Sequence, residues 1–186
     1  FVWGSLTKSF IAAALLELAA AGRLGLDDPI AGVLPTYPNG DAITLRMLLR
    51  HTAGLFDYFE HPRYESLVFG RPRHDWTYDE ILALVAAPYR PPGTGFHYSN
   101  TDYILAGRIL GLTTGRDPAQ TVRRRFFRPL GLTSVSFQGR ERIRGTAAKG
   151  YLWDGSGYIP WSDGSAYRPN RSAATVADTA GAMLGS

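Results

Sequence analysis

The sequence contains no cysteine, and only Lys8 and Lys149 are lysines among its 20 basic residues. The absence of cysteine excludes disulfide bonds, thiol nucleophiles and thiolate metal ligands, although it does not fix a compartment. No apolar run approaches the roughly 20 residues that a membrane-spanning helix requires, so we expect no membrane span in this chain. Because lysine is so scarce, each lysine raises the question of a specific role.

The four histidines, His51, His61, His74 and His97, lack the spacing that is typical of metal ligands, so we expect neither a metal nor another cofactor. The net charge is +4, and the densest basic run extends from Arg123 to Arg128. A solvated helix face is the simpler interpretation of this run, and a surface for nucleic acid or anionic lipid is the alternative. We expect no nucleic acid partner.

The chain of 186 residues, 45% of them hydrophobic, is long enough for one domain with a core. It shows no internal repeat and no linker, which predicts a single helix-rich domain over residues 1–186. The sequence opens at Phe1 without a methionine, so we expect a piece truncated at both ends, with any targeting segment upstream.

Capping residues and apolar spacing predict several helices. The first begins at Ser5 and ends at Gly22. Others are predicted after Asp27-Asp28-Pro29, over Leu45 to Arg50 with Thr44 as cap, after the capping box of Thr77 and Glu80, from Asn100 or Thr101 to Gly115, after Asp117-Pro118, and from Thr175. The stretch from Phe56 to Asp75 is interpreted as a loop, and Tyr151 to Trp161 as a hairpin or long loop.

Ser5-Leu6-Thr7-Lys8 is a Ser-x-x-Lys motif. Three residues are about one helical turn, so the serine hydroxyl and the lysine ammonium would share one face. Desolvation near a helix N-terminus disfavours the charged form of a lysine. The neutral amine can then accept the serine proton. Alone, the motif is equally the pattern of a helix-capping serine followed by a solvent lysine.

A second motif, Tyr98-Ser99-Asn100, follows a loop rich in proline and glycine. Such a loop can hold a phenol and an amide rigidly toward a pocket, where tyrosine and lysine could share a proton. The alternatives are an aromatic ring packed under a loop for Tyr98 and a helix cap for Asn100. His97 could tune the phenol, but a side chain in solvent accounts for it equally well.

Four segments in order resemble the serine beta-lactamase and D-alanyl-D-alanine carboxypeptidase superfamily, nearest to class C beta-lactamases and their esterase and peptidase relatives. The first match is Ser5 to Lys8 together with the turn from Gly22 to Pro29, and the other three are Leu48 to Leu55, Pro92 to Asn100, and Pro129 to Leu132. The resemblance implies the α+β fold of beta-lactamases and transpeptidases, of which this chain supplies mainly the helix-rich part.

The same resemblance implies roles for four residues. Ser5 would be acylated by an ester, a beta-lactam or a D-amino-acid peptide, and Lys8 and Tyr98 would carry its proton. Asn100 would orient the substrate and the lysine, and the backbone N–H of Ser5 would be half of an oxyanion hole. Members of the superfamily are mostly exported in bacteria, which implies a periplasmic, secreted or cell-envelope location.

The superfamily's third motif, Lys or His followed by Thr or Ser and Gly, has no match in the expected place. Gly145-Thr146 and Ala148-Lys149-Gly150 are similar in composition but precede the last predicted helix, so Lys149 is given no catalytic role. Two hypotheses remain: a serine hydrolase acting through Ser5, and a catalytically silent relative that binds peptidoglycan-like or other ligands. The sequence does not select the acyl substrate.

Overall fold

A computed structural model describes residues 1–143, 148, 151–153, 155–160 and 171–185. Its α-helices are α1 (Thr7–Ala20), α2 (Leu45–Leu49), α3 (Tyr64–Phe69), α4 (Tyr78–Leu82), α5 (Asn100–Thr114), α6 (Pro118–Val122) and α7 (Arg171–Gly181). Its strands are β1 (Ser136–Phe137), β2 (Tyr151–Trp153), β3 (Tyr158–Pro160) and β4 (Met183–Leu184). The predicted helix-rich α+β architecture is confirmed.

Helix α5 lies at the centre of the fold. All of its residues from 100 to 107 are buried, and it contacts α1, α2, α6 and α7. Helix α1 adds to the same core the fully buried side chains of Ile11, Ala14, Leu15 and Leu18. Burial of this apolar surface favours folding, and it also holds α1 and α5, which begin at the two sequence motifs, side by side.

The segment before α1 runs beside strand β4. Phe1 and Gly185 exchange backbone hydrogen bonds, and the Trp3 N–H donates to the Met183 carbonyl at 2.8 Å. Strand β4 also pairs antiparallel with β1, and the Met183 N–H donates to Thr7 Oγ1 at 3.1 Å. These bonds fix the start of α1 against the end of α7.

Most helix boundaries agree with the predicted caps. Thr44 accepts from the Met47 N–H, Thr77 and Glu80 form the reciprocal capping box, and Asp117 accepts from the Ala119 N–H. Helix α5 begins at Asn100 and ends before Gly115, whose φ of 65° is the left-handed conformation that glycine tolerates. Strands β2 and β3 pair antiparallel, so the hairpin interpretation is confirmed.

Three local predictions are wrong. Asp27 and Asp28 do not cap the short 3₁₀ turn Ile30–Gly32, because Asp27 pairs with Arg46 and Asp28 accepts from the Gly25 N–H. The predicted loop from Phe56 to Asp75 contains the short helix α3.

The last helix begins at Arg171 rather than Thr175, because contacts with the chain around Trp76 extend it. Trp76 Nε1 donates to Ser172 Oγ at 2.7 Å, and Arg171 pairs with Asp75. Helix α7 is also interrupted at Asp178, whose φ is 31°.

The basic run is partly neutralised by carboxylates. Arg123 pairs with Glu141, and Arg125 pairs with Glu17. Paired charges attract an anionic partner less than free ones do, so this arrangement favours the interpretation as a solvated helix face.

Gly107 gives a test of the contact between α5 and α7. A methyl group at this position would overlap the side chain of Thr179. We expect Gly107→Ala to lower the free energy of unfolding by about 1–3 kcal/mol, because overpacking forces neighbouring groups to shift.

Gly111→Ala in the same helix is the matched control, since its added carbon would lie 3.4 Å from the nearest atom, the Arg116 carbonyl oxygen. Alanine favours a helix by up to about 1 kcal/mol over glycine, so this variant should be neutral or more stable. Urea denaturation of the full-length protein measures both variants, and equal stabilities would contradict the expected contact.

Candidate active site

Ser5 lies in the 3₁₀ turn Gly4–Leu6 that leads directly into α1, and Lys8 lies in the first turn of α1. Lys8 Nζ donates to Ser5 Oγ at 3.0 Å. The structure thus brings the two side chains together at a helix N-terminus, as their spacing predicts. It places the lysine in the interior, so the alternative of a solvent lysine is wrong for Lys8.

The Lys8 side chain is 6% exposed, and its ammonium group has acceptors from three separate parts of the chain. Besides Ser5 Oγ, Nζ donates to Asn100 Oδ1 at 2.8 Å and to the Ala180 carbonyl at 2.7 Å. Ala180 lies at the end of α7, where the last carbonyls have no partner within the helix. An ammonium has three N–H bonds, so all three are used.

Burial lowers the pKa of Lys8 from its usual 10.5 to about 8, because the ammonium loses its hydration in the interior. The negative charges of Asp57 and Asp102 raise this pKa and offset burial only in part. A substantial fraction of Lys8 is therefore neutral in mildly alkaline solution.

Tyr98 completes the environment of the serine. Its Oη lies 2.7 Å from Ser5 Oγ, and Lys8 Nζ lies 4.9 Å from the centre of its ring. Tyr98 is 40% exposed, whereas Lys8 is buried. The phenol is thus on the open side of the serine, and the lysine is on the closed side.

Asn100, the first residue of α5, connects Lys8 to a buried carboxylate. Its Nδ2 donates to Asp57 Oδ2 at 2.9 Å. An ionised carboxylate only accepts hydrogen bonds, so this contact turns Asn100 Oδ1 toward Lys8. Burial raises the pKa of Asp57, while hydrogen bonds from the Phe59 N–H and from Asn100 act against that rise.

Sequence reasoning missed Asp57, Asp102 and Ala180. Asp57 lies in the stretch interpreted as a loop, where an acidic residue gives no signal. Asp102 offers one, because it lies among the apolar positions of a predicted helix and a buried carboxyl normally has a partner. Ala180 contributes only a backbone oxygen, which no side-chain pattern reveals.

Two of the histidines also lie near the site. The buried His51 ring packs against the Tyr98 ring, with 4.3 Å between their centres. The His97 ring packs on Tyr89 at 4.1 Å, and its Nδ1 is buried without a hydrogen-bond partner in the described part of the chain. His97 is half-buried, so its side chain lies partly in solvent and partly against Tyr89.

No group of three or more His, Asp or Glu side chains within the described ranges is arranged to hold a metal ion. None of the described helices has the length and apolar character needed to cross a bilayer. Gly145, Thr146, Lys149 and Gly150, which resemble the third motif in composition, lie outside the described residues.

A helical core that presents Ser5, Lys8, Tyr98 and Asn100 to one another is typical of a class of serine hydrolases. The family model described as beta-lactamase matches residues 1–185, which is nearly the whole chain. The chain therefore belongs to the beta-lactamase family, and the resemblance found in the sequence is confirmed.

Individual relatives agree with this assignment. The chain is 32% identical over 163 residues to penicillin-binding protein 4 of Amycolatopsis lactamdurans, and the match covers 82% of this chain and 40% of that protein. A D-stereospecific amidohydrolase from Streptomyces sp. superimposes with a TM-score of 0.85 at 33% identity, covering 98% of this chain and 56% of that one.

A D-amino acid amidase from Ochrobactrum anthropi SV3 gives a TM-score of 0.79 at 31% identity, over 100% of this chain and 52% of that one. These solved structures confirm the predicted fold. The chain spans between two fifths and three fifths of the length of these relatives.

The lowered pKa of Lys8 predicts a pH-dependent effect on stability. Because the folded state binds this proton less tightly than the unfolded state, the charged lysine destabilises the fold below a pH of about 8. A pKa of about 8 against the usual 10.5 corresponds to about 3 kcal/mol as an upper limit. We expect the wild-type protein to gain stability relative to Lys8→Met as pH rises from about 8 to 10.5, by up to this amount.

Urea denaturation of both full-length proteins across this pH range measures the difference in their free energies of unfolding. The contributions of other titrating groups are nearly the same in both proteins and largely cancel. Arg50→Met, which replaces an exposed cation, is the control and should show no such trend. An advantage for Lys8→Met that grows with pH would contradict the lowered pKa.

Proposed function

We propose that the protein is a serine hydrolase that acts through an acyl-enzyme on Ser5. The observation that carries the proposal is the position of Ser5 Oγ, 3.0 Å from Lys8 Nζ and 2.7 Å from Tyr98 Oη. A serine hydroxyl becomes a strong nucleophile only when a base accepts its proton. Here a buried amine and a phenol are both within reach of that proton.

The hydrogen bonds of Lys8 support its role as the base. Of its three partners, Asn100 Oδ1 and the Ala180 carbonyl can only accept. A neutral lysine has two N–H bonds, which those two oxygens take. Its lone pair is then directed at the Ser5 hydroxyl, the one partner that can donate a proton.

In acylation, Ser5 Oγ attacks the substrate carbonyl carbon, and its proton passes to Lys8. The bond to the leaving group breaks as that group takes the phenolic proton of Tyr98, and the proton held by Lys8 restores the phenol. Water then cleaves the acyl ester by the reverse order of transfers, which regenerates Ser5. The backbone N–H of Ser5, near the positive end of α1, is one donor for the oxyanion.

Asn100 and Asp57 serve this chemistry by orientation. The Asp57 carboxylate holds the amide so that its oxygen binds Lys8 at 2.8 Å, which fixes the direction of the lone pair toward Ser5. Asn100 Nδ2 is committed to Asp57, so any contact between Asn100 and the substrate uses the remaining faces of the amide.

The names of the relatives indicate a substrate class. Two of the relatives are named for amide hydrolysis at D-amino acids or with D-stereospecificity, and a third is a penicillin-binding protein. We therefore propose D-amino acid amides or peptides as the first substrates to test. Esters and beta-lactams are the other acyl compounds that such a nucleophile attacks. Because homologues are penicillin-binding proteins, we also propose a cell-envelope, periplasmic or secreted location.

Intact-mass measurement tests the nucleophile. We expect the full-length protein to gain the mass of an acyl group when it is mixed with an activated ester, a penicillin or a D-amino acid ester. Ser5→Ala should gain none, since it removes the oxygen that is acylated. Ser9→Ala, which changes an exposed serine on the first turn of α1, is the matched control and should react normally.

An adduct that persists in Ser5→Ala would contradict the proposed nucleophile. If no compound gives an adduct while a D-amino acid ligand still binds, the catalytically silent alternative is correct. Quenching of tryptophan fluorescence by the same compounds separates binding from acylation.

The pH dependence of acylation tests the base. If neutral Lys8 accepts the proton, the acylation rate rises with pH to a plateau above about 8. Since the Asp57 carboxylate raises the pKa of Lys8, Asp57→Asn should move this rise to lower pH. We also expect a lower plateau rate, because the neutral amide that replaces the carboxylate is a weaker acceptor for Asn100 Nδ2 and orients it less firmly.

Asp79→Asn, which neutralises an exposed carboxylate on α4, is the control for the change in net charge and should leave the profile in place. Stopped-flow release of a chromophoric leaving group gives the profile for each protein. A rise that stays at the same pH in Asp57→Asn would contradict the role assigned to Lys8.

A further inference from the structure

His51 lies just after the C-cap of α2 and next to the proposed proton carrier Tyr98. Its φ of 56° is the left-handed conformation of a Schellman motif, in which the His51 N–H donates to the Leu48 carbonyl and the Thr52 N–H donates to the Met47 carbonyl. Histidine is one of the non-glycine residues enriched in this conformation, so the turn accommodates it readily. The residue is nearly buried, at 9% exposure.

His51 contacts the ring of Tyr98 and the backbone on both sides of it. The two rings lie 4.3 Å apart between centres, at an angle of 34°. The His97 N–H donates to the His51 carbonyl at 2.8 Å, and the Ser99 N–H donates to His51 Nδ1 at 3.3 Å. The residues immediately before and after Tyr98 are thus both bound to His51.

Asp102 fixes His51 from the interior. Its Oδ2 lies 3.1 Å from His51 Nδ1, and the residue is fully buried on the first turn of α5. Its Oδ1 has no hydrogen-bond partner among the residues that the structure describes. A buried carboxyl oxygen without a hydrogen bond destabilises a fold. The contact between Oδ2 and His51 is the interaction that compensates this carboxyl.

Nδ1 has a single lone pair, so it either accepts the Ser99 N–H at 3.3 Å or carries a proton that it donates to Asp102 Oδ2 at 3.1 Å. Burial raises the pKa of Asp102 to about 6, and the hydrogen bond and charge of His51 act against that rise. Lys8 lowers this pKa and Asp57 raises it, which couples the pair to the charges around Ser5.

We propose that His51, held by Asp102, is a positioning residue for Tyr98, which it fixes by ring packing and by the two backbone contacts beside it. This inference rests on the proposed role of Tyr98 in proton transfer. Tyr98 is on the open side of the serine and is 40% exposed, so the interior contributes few other restraints to it. A misplacement of about 1 Å in a reacting group can reduce a rate about 10²-fold.

A double-mutant cycle on the acylation rate of the full-length protein tests the proposal. His51→Asn tolerates the left-handed backbone and keeps a polar atom for Ser99 and Asp102, but it removes the ring beneath Tyr98. We expect acylation by an activated ester to be 10- to 100-fold slower, with substrate binding nearly unchanged. In a Tyr98→Phe background the same substitution should change the rate less than about twofold, because no phenol remains to be positioned.

His74→Asn is the matched control. Like His51, His74 contacts a carboxylate, with Nε2 3.0 Å from Glu80 Oε1, and an aromatic ring, that of Trp76. It belongs to the segment before α4, so we expect an unchanged acylation rate. If His51→Asn does not fold, Asp102→Asn provides the same cycle, with a smaller loss that also disappears in the Tyr98→Phe background.

The outcomes separate this inference from the proposed function. Equal losses in the two backgrounds, or no loss at all, would show that His51 acts only on overall stability and would overturn the inference while leaving the nucleophile in place. If Tyr98→Phe alone acylates at the normal rate, the proposed role of Tyr98 fails, and the inference fails with it. A loss that is confined to proteins containing Tyr98 supports the positioning role.

Discussion

The interaction on which the rest of the site depends is the burial of the Lys8 ammonium among three oxygen atoms. An unpaired charge in an apolar interior is strongly destabilising, so the chain must supply acceptors wherever this side chain is enclosed. It does so from Ser5, Asn100 and Ala180, at the start of α1, the start of α5 and the end of α7. The packing of those three helices thus also supplies the hydrogen-bond acceptors of the Lys8 ammonium.

The charges around this lysine act on both the stability of the fold and the fraction of neutral amine. Asp57 and Asp102 are both buried and both raise the pKa of Lys8, yet burial still keeps it at about 8. Stronger pairing would stabilise the ammonium but leave little of the neutral amine that the proposed mechanism requires as a base. Weaker pairing would leave the buried ammonium less compensated and would lower the stability of the fold. Active sites commonly lower stability in this way. Asp57 lies between these extremes because it is linked to Lys8 through Asn100. Its charge raises the pKa of Lys8 although the two side chains form no direct ion pair.

The sequence contained enough information to predict the proposed catalytic residues, but little about the residues that orient them. Ser5 and Lys8 are one helical turn apart, and Tyr98 lies two residues before Asn100 at the start of α5, so short-range geometry groups the residues within each motif. Ala180 acts through a backbone oxygen, and Asp57 and His51 act through contacts between distant segments. The start of α7 was missed for the same reason, since Trp76 and Asp75 extend the helix through tertiary contacts that local capping rules do not contain.

The interruption of α7 at Asp178 explains how a backbone oxygen becomes part of a side-chain site. A non-glycine residue with a φ of 31° costs on the order of 1–3 kcal/mol and must be held by its neighbours. Both Asp178 carboxylate oxygens accept from Arg140, and Thr179 Oγ1 donates to the Tyr103 carbonyl at 2.8 Å. Because Thr179 is anchored on α5, the next carbonyl, that of Ala180, is fixed toward Lys8. The direction of the lysine lone pair therefore depends on a turn more than 170 residues away in the chain.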